Sequence, residues 1–480
     1  MGAEHFIFTI HMKNSYQELI EQTYYFPQEG FNLQEGFLHF NGIDLKKIID
    51  TYGTPFRIYY LPKIREQIQK ARSLFNQAIE KHRYEGSYEF CYCTKCCHFS
   101  HVVKTALKER VSLETSSSFD IDLILKLYEQ GALTTQTTIV HNGIKTADYI
   151  DNIRFLQQQG FDQSITILDS AQELERISSQ NLDKPMKIGL RISIDEEPQA
   201  AYYTSRLGIN KRELLELVKD KIQPNPLLEL HMIHFFVDSG INDNLYYWGE
   251  FKKALHLYIQ IKQLEPSLQA LNIGGGFPIR NSLGFKYDYQ YIVDEIVRNI
   301  KETCAQAKVT EPTIYTEFGK YTVGESGAVI FKVIEQKQQN DTELWYIIDN
   351  SLMNTIPDAW SINEKFILLP INKWEHSYKR IHIGGISCDH SDYYNSEQLN
   401  QQILLPAYDD ENGEDPLYIG FFHTGAYQDA ISGYGGIKHC LIPTPRLIVV
   451  DKDEQGKLVD YLYRDEQSVS NMLSILGYDE

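Results

Sequence analysis

The chain has 480 residues, 42% of them apolar, and a formal net charge of −19. That length exceeds one compact core, so two domains are expected, and the acidic balance disfavours nucleic acid or an anionic membrane as partner while favouring a cationic small substrate. No apolar run reaches the length of a membrane helix, the first ten residues lack a signal peptide's basic start, and seven cysteines do not make a disulfide framework, so a reducing cytoplasm is the expected location.

In chain order, residues 55–61 read as extended and 63–79 as a helix with Ile64, Ile68, Ala71 and Phe75 on its apolar face. Eight strand-like runs follow, at 88–94, 111–115, 138–141, 165–168, 187–194, 228–236, 271–273 and 313–316. Helix-length stretches at 171–177, 211–218, 248–263 and 291–307 lie among them. Eight strands with intervening helices predict an α/β fold built on a (β/α)8 TIM barrel. Beyond it, short β runs at 328–335, 344–348 and 446–450 alternate with turn-rich loops and predict a mainly antiparallel β domain. The domain boundaries expected are 55–325 for the barrel and 326–480, with part of 1–54, for the β domain. The acidic run 409–415 reads as a solvated loop.

Chemistry in such a barrel collects where strands end. Those ends carry Lys95, Glu114, Asn142, Asp169, Arg191, the segment 234–239, Gly274-Gly275-Gly276 and Glu317. A lysine closing a buried strand is costly as a bare cation and needs a partner or a task, although lysines also snorkel to the surface. Three glycines leave backbone N–H groups unshielded for a phosphate, or form a tight turn. Glu317 could pair with a heterocyclic cation, or form a salt bridge within the barrel. Together a lysine, a phosphate cradle and a carboxylate make the minimum kit for pyridoxal phosphate. The cluster Cys91, Cys93, Cys96 and Cys97 could suggest zinc, but four sulfurs would have to converge. Small buried thiols are the expectation there, and no metal ligand is assigned.

Six stretches carry a resemblance: 52–59 (YGTPFRIY), 92–95 (YCTK), 271–278 (LNIGGGFP), 317–320 (EFGK), 388–392 (CDHSD) and 425–427 (GAY). They resemble the alanine-racemase-fold decarboxylases of basic amino acids, which depend on pyridoxal 5'-phosphate. The segments 141–149 (HNGIKTADY), 351–362 (SLMNTIPDAWSI) and 420–429 (GFFHTGAYQD) are most similar to the biosynthetic arginine decarboxylase branch. By position, the resemblance implies that Lys95 bonds the cofactor's aldehyde and that Glu317 holds the ring nitrogen. It places Gly274, Gly275, Gly276, Ser239 and Tyr427 at the phosphate, with Glu114, Arg191 and Lys320 also around the cofactor. It makes Cys388 the proton donor and Asp389, with Asp358, the substrate-binding acids. Arg206 is expected to pair with Asp392 across a homodimer or a higher oligomer of dimers, whose β domain completes the partner's site.

Two departures from the family pattern stand out. Phe236 occupies the place where a histidine stacks on the cofactor ring, with His234 two residues earlier on the same strand face. Lys320 replaces an arginine, turning a bidentate phosphate contact into a point charge. The expected activity is conversion of L-arginine to agmatine and carbon dioxide in polyamine biosynthesis. Ornithine, lysine, diaminopimelate and carboxynorspermidine remain alternative substrates. An amino-acid racemase is disfavoured by Glu317, and a non-catalytic regulatory homologue by the presence of both Lys95 and Cys388. Magnesium is a possible addition that no residue pattern specifies.

Overall fold

A computed structural model describes residues 27–180, 182–195, 204–341, 343–394, 403–407 and 415–478. The acidic run 409–415, apart from Asp415, lies outside them. Eight parallel strands close into a barrel: Tyr88–Cys93, Ser112–Thr115, Ile139–His141, Ser164–Leu168, Met186–Arg191, Leu228–His234, Ala270–Asn272 and Thr313–Glu317. The last pairs with the first, Glu317 opposite Cys91. These are the eight runs expected from sequence. Both faces of each strand are covered, one by the helices and one by the barrel interior, so the strands read as continuous apolar runs. Cys91, Val140, Ile165, Ile167, Met232, Ala270 and Tyr315 fill that interior.

The expected helices are present; Ala171–Ser178 and Lys211–Leu217 start where expected, while Leu61–His82, Leu245–Leu264 and Tyr289–Ala307 start two or three residues earlier. Asn244 Oδ1 accepts from the Tyr247 N–H at 2.7 Å and opens Leu245–Leu264; Asp288 does the same for Tyr291 at 2.9 Å and opens Tyr289–Ala307. Leu61–His82 begins with Pro62 in its first turn and buries Ile64, Ile68, Ala71, Phe75 and Ala78 along one stripe.

The second sheet runs, in order, Ile403–Pro406, Tyr378–Gly384, Leu344–Ile348, Gly327–Gln338, Phe56–Tyr60, Arg446–Lys452 and Leu458–Arg464. Tyr418–Phe422 pairs with Gly327–Gln338 and carries Ile367–Pro370 on its other edge. Most pairs are antiparallel; Phe56–Tyr60 with Arg446–Lys452 and Leu344–Ile348 with Tyr378–Gly384 are parallel. Phe56–Tyr60, counted with the barrel when a boundary is drawn at residue 55, therefore belongs by pairing to this sheet. From it the chain enters the first long helix and then the barrel.

Candidate active site at the barrel mouth

The first barrel strand ends at Cys93, and a tight turn, Thr94–Cys96, swings Lys95 over the mouth. Its ammonium meets Glu114 Oε2 at 2.6 Å. Glu114 is fully buried on the second strand, whereas the Lys95 side chain keeps 39% of its exposure, so the amine faces the open side. Burial opposes the Lys95 charge, but Cys93, Glu114 and Glu317 beside it outweigh that cost and hold the amine protonated.

Glu317 closes the eighth strand and is buried beneath the mouth. Asn272 Nδ2 donates to its Oε1 at 2.7 Å, Asn142 Nδ2 lies 3.1 Å from both oxygens, and His234 Nε2 stands 3.1 Å from Oε2. Burial alone would push this carboxyl up; His234, Lys95 and Asn272 reverse the shift and hold it below the ordinary carboxylate range. Glu114, equally buried, moves the other way because burial outweighs its contact with Lys95. One mouth thus holds two carboxylates driven in opposite directions.

The glycine run is shaped by backbone crowding. A Cβ on Gly275 would come within 2.2 Å of the Glu317 carbonyl, and one on Gly276, at φ +103°, within 2.5 Å of the Gly240 Cα. The Gly276 carbonyl accepts from the Ile241 N–H at 2.9 Å, and the Gly274 carbonyl from Glu317 N–H at 2.8 Å. Their carbonyls are spent inward, while the amides of Gly275 and Gly276 form no hydrogen bond among the described residues. Ser239 is exposed one residue before Gly240. Tyr427 arrives from the second sheet, its N–H donating to the Cys96 carbonyl at 2.8 Å, and Cys96 and burial keep its phenol protonated.

Phe236 lies just past the sixth strand, half-buried, with the Arg191 guanidinium 5.8 Å from its ring centre. Arg191 Nε is 3.8 Å from Asp169, whose Oδ1 accepts the Gly208 N–H at 3.0 Å. His234 is bonded to Glu317 through one ring edge. Lys320 pairs with Glu364 at 2.7 Å, and Asp358 is buried with Gln428 Nε2 at 2.8 Å on its Oδ2, burial raising its pKa. Asp358 is thus tied to the Tyr427 turn of its own chain.

Cys388 and Asp389 sit elsewhere, on a loop of the second sheet. Among the described residues neither forms a hydrogen bond or ion pair with the barrel-mouth group. Asp392 is buried and turned into its own chain: Oδ1 accepts from Ser351 Oγ at 3.0 Å and Met353 N–H at 3.1 Å, and Oδ2 from Ser387 N–H at 3.1 Å. It organises its own loop, and exposed Arg206 forms no pair with it within the chain. The cysteines near Lys95 scatter: Cys91 faces the barrel interior, Cys96 packs on Gly319, and Cys97 lies 3.6 Å from the Tyr59 hydroxyl. Asn142 is among the strand ends expected at this mouth but carries no assigned role there, and Asn272, inside the 271–273 run, is not singled out by the sequence; both hold Glu317.

Residues 62–324 match the family model described as pyridoxal-dependent decarboxylase, pyridoxal binding domain. The chain belongs to this family of pyridoxal-phosphate-dependent carboxy-lyases. It is 21% identical to a biosynthetic arginine decarboxylase of Prochlorococcus marinus (strain MIT 9215), covering 91% of this chain and 85% of that protein. The fold resembles the biosynthetic arginine decarboxylase of Campylobacter jejuni at a TM-score of 0.79, with 21% identity over 94% of this chain and 89% of the other. It also resembles a diaminopimelate decarboxylase of M. jannaschii in complex with L-lysine, at a TM-score of 0.76 and 16% identity over 93% and 97% of the two chains.

The mouth fits the family's cofactor. The glycine turn is a concave backbone surface that no larger residue could share, and it offers two uncommitted amides to a phosphate. Buried His234 Nδ1 has no partner among the described residues, and Glu317 is an anion awaiting a cation. The Lys95 amine stands at the same mouth, where it could bond an aldehyde.

Proposed function

We propose that this protein converts L-arginine to agmatine and carbon dioxide, with Lys95, Glu317 and the glycine turn holding pyridoxal 5'-phosphate. The observation that carries the reading is the buried Glu317 anion, fixed by Asn142, Asn272 and His234, at the same mouth as the Lys95 amine. The arginine assignment is supported by the segments 141–149, 351–362 and 420–429 and by curated relatives that are biosynthetic arginine decarboxylases.

When bound, the cofactor supplies an electron sink for the pair left behind as the substrate's carboxylate departs as carbon dioxide. Glu317 keeps a proton on the ring nitrogen, because its own affinity for that proton is held low. Glu114 positions the Lys95 amine and balances its charge. The amides of Gly275 and Gly276, with Ser239 and Tyr427, bind the phosphate, and Phe236 covers one face of the ring. Cys388 of a second copy delivers its thiol proton to the carbon that lost the carboxylate, and that copy's Asp389 binds the distal guanidinium through charge-assisted hydrogen bonds. This sharing requires a homodimer.

Product analysis after incubating the cofactor-saturated protein with each basic amino acid tests the assignment. Agmatine from arginine, with turnover at least tenfold above that on ornithine, lysine or diaminopimelate, is the expected result. A preference for one of those three moves the substrate within the same chemistry.

A further inference from the structure

Cys388 does not stand alone. Its Sγ lies 3.4 Å from Cys440 Sγ, and the ligand atoms of Cys388, Cys440 and His439 all lie within 4.8 Å of one another on an exposed face. Asp389 Oδ2 is 3.6 Å from His439 Nε2 and adds negative charge. The two halves of this cluster come from loops fifty residues apart, yet one network holds both. Asp392 accepts from Ser387 N–H and Ser351 Oγ; Ser351 Oγ in turn accepts from Asn354 N–H at 3.2 Å; Asn354 Nδ2 donates to the His439 carbonyl at 2.9 Å. Cys440 and Leu441 both adopt left-handed backbone, φ 58° and 52°, a conformation costly for side chains larger than glycine. That turn presents the Cys440 thiol to Cys388.

We propose that Cys388, Cys440 and His439 form a site for a thiophilic divalent cation of the zinc class. Two thiolates and an imidazole are the donor set such ions select. A tetrahedral ion with Zn–S bonds of about 2.3 Å places its sulfurs slightly under 4 Å apart, close to the separation found here. Binding exchanges two thiol protons for the metal and leaves a fourth position for water or a carboxylate. The consequence rests on the reading of Cys388 as proton donor: a metal-bound thiolate has no S–H to give, so occupancy stops amine formation.

The test titrates zinc chloride into the reduced holoenzyme and measures bound metal by equilibrium dialysis, with cobalt(II) as a spectroscopic substitute. One ion per chain is expected, with a thiolate-to-cobalt absorption band. Affinity should fall at least tenfold in Cys440→Ser and in His439→Ala. Cys440→Ser should keep its basal turnover and lose inhibition by zinc. Binding no tighter than in Cys388→Ser/Cys440→Ser, or a cobalt spectrum without the thiolate band, overturns the site. Stoichiometric binding with undiminished turnover leaves the site standing and removes Cys388 from the proton-donor role.

Discussion

His234 Nε2 stands 3.1 Å from Glu317 Oε2 beneath the barrel mouth, so one edge of the imidazole is committed to a buried carboxylate. That bond fixes the orientation of the imidazole beneath the mouth. Phe236, two residues on, is half-buried with the Arg191 guanidinium over its ring. Phe236→Ala should weaken cofactor binding about three- to tenfold, the worth of an aromatic contact of about 0.5–1.5 kcal/mol. Phe236→His should bind nearly as well as the native protein. Fluorescence titration of the cofactor-free protein measures both, and unchanged affinity in Phe236→Ala would point to His234 as the stacking residue.

Glu317→Gln should keep its cofactor and lose about a hundredfold or more in decarboxylation, the scale of losing a preorganised electrostatic partner. Asn272 can still donate to the new amide oxygen, and His234 can change tautomer to accept from the amide nitrogen, so the fold survives. The absorbance spectrum of the bound cofactor reports retention, and product formation reports the loss. Near-native turnover would mean that another group protonates the ring.

The barrel was legible because its strands are buried on both faces and their ends carry polar residues and glycines. Lys95, Glu114, Glu317 and the glycine turn could be read from those ends. The second sheet was less legible. Tyr378–Gly384 and Leu458–Arg464 are partly exposed, and Phe56–Tyr60 finds its partners more than 250 residues away. The same holds for side chains: Asn142 reaches Glu317 across 175 positions, and Cys440 meets Cys388 across 52. No local pattern announces such contacts. Asp392, expected to meet Arg206 across a dimer, is buried and bonded within its own chain, where it anchors its loop.

His101 predicts a pH dependence of stability. It is buried among Phe99, Tyr59 and Tyr463, neither ring nitrogen has a partner among the described residues, and burial lowers its pKa to about 4. The folded value lies below the unfolded one, so the unfolded chain takes the proton first as pH falls. Its contribution is intact above about pH 6.5 and drains away towards pH 4, amounting to roughly 3 kcal/mol. His101→Phe fits the same aromatic nest and should be at least as stable at pH 7. Denaturant midpoints at pH 7 and pH 4 should converge in the variant relative to the native protein; an unchanged difference would place the acid sensitivity elsewhere.

Lys95→Ala and Cys388→Ala should complement one another. If the two residues act in one site from different subunits, random pairing makes about half of the dimers heterodimers, each with one intact site. An equal mixture then approaches about a quarter of native amine production under twofold symmetry. No recovery after demonstrated subunit exchange would place both residues in one chain's site.

The account turns on Lys95 as the residue that carries the cofactor at the barrel mouth. Borohydride reduction of the cofactor-saturated protein, followed by peptide mapping with mass spectrometry, tests this directly. A single pyridoxyl-phosphate label on Lys95 is the predicted result, absent from Lys95→Ala. A label on another lysine, such as buried Lys145, or no label in saturated protein, would contradict it.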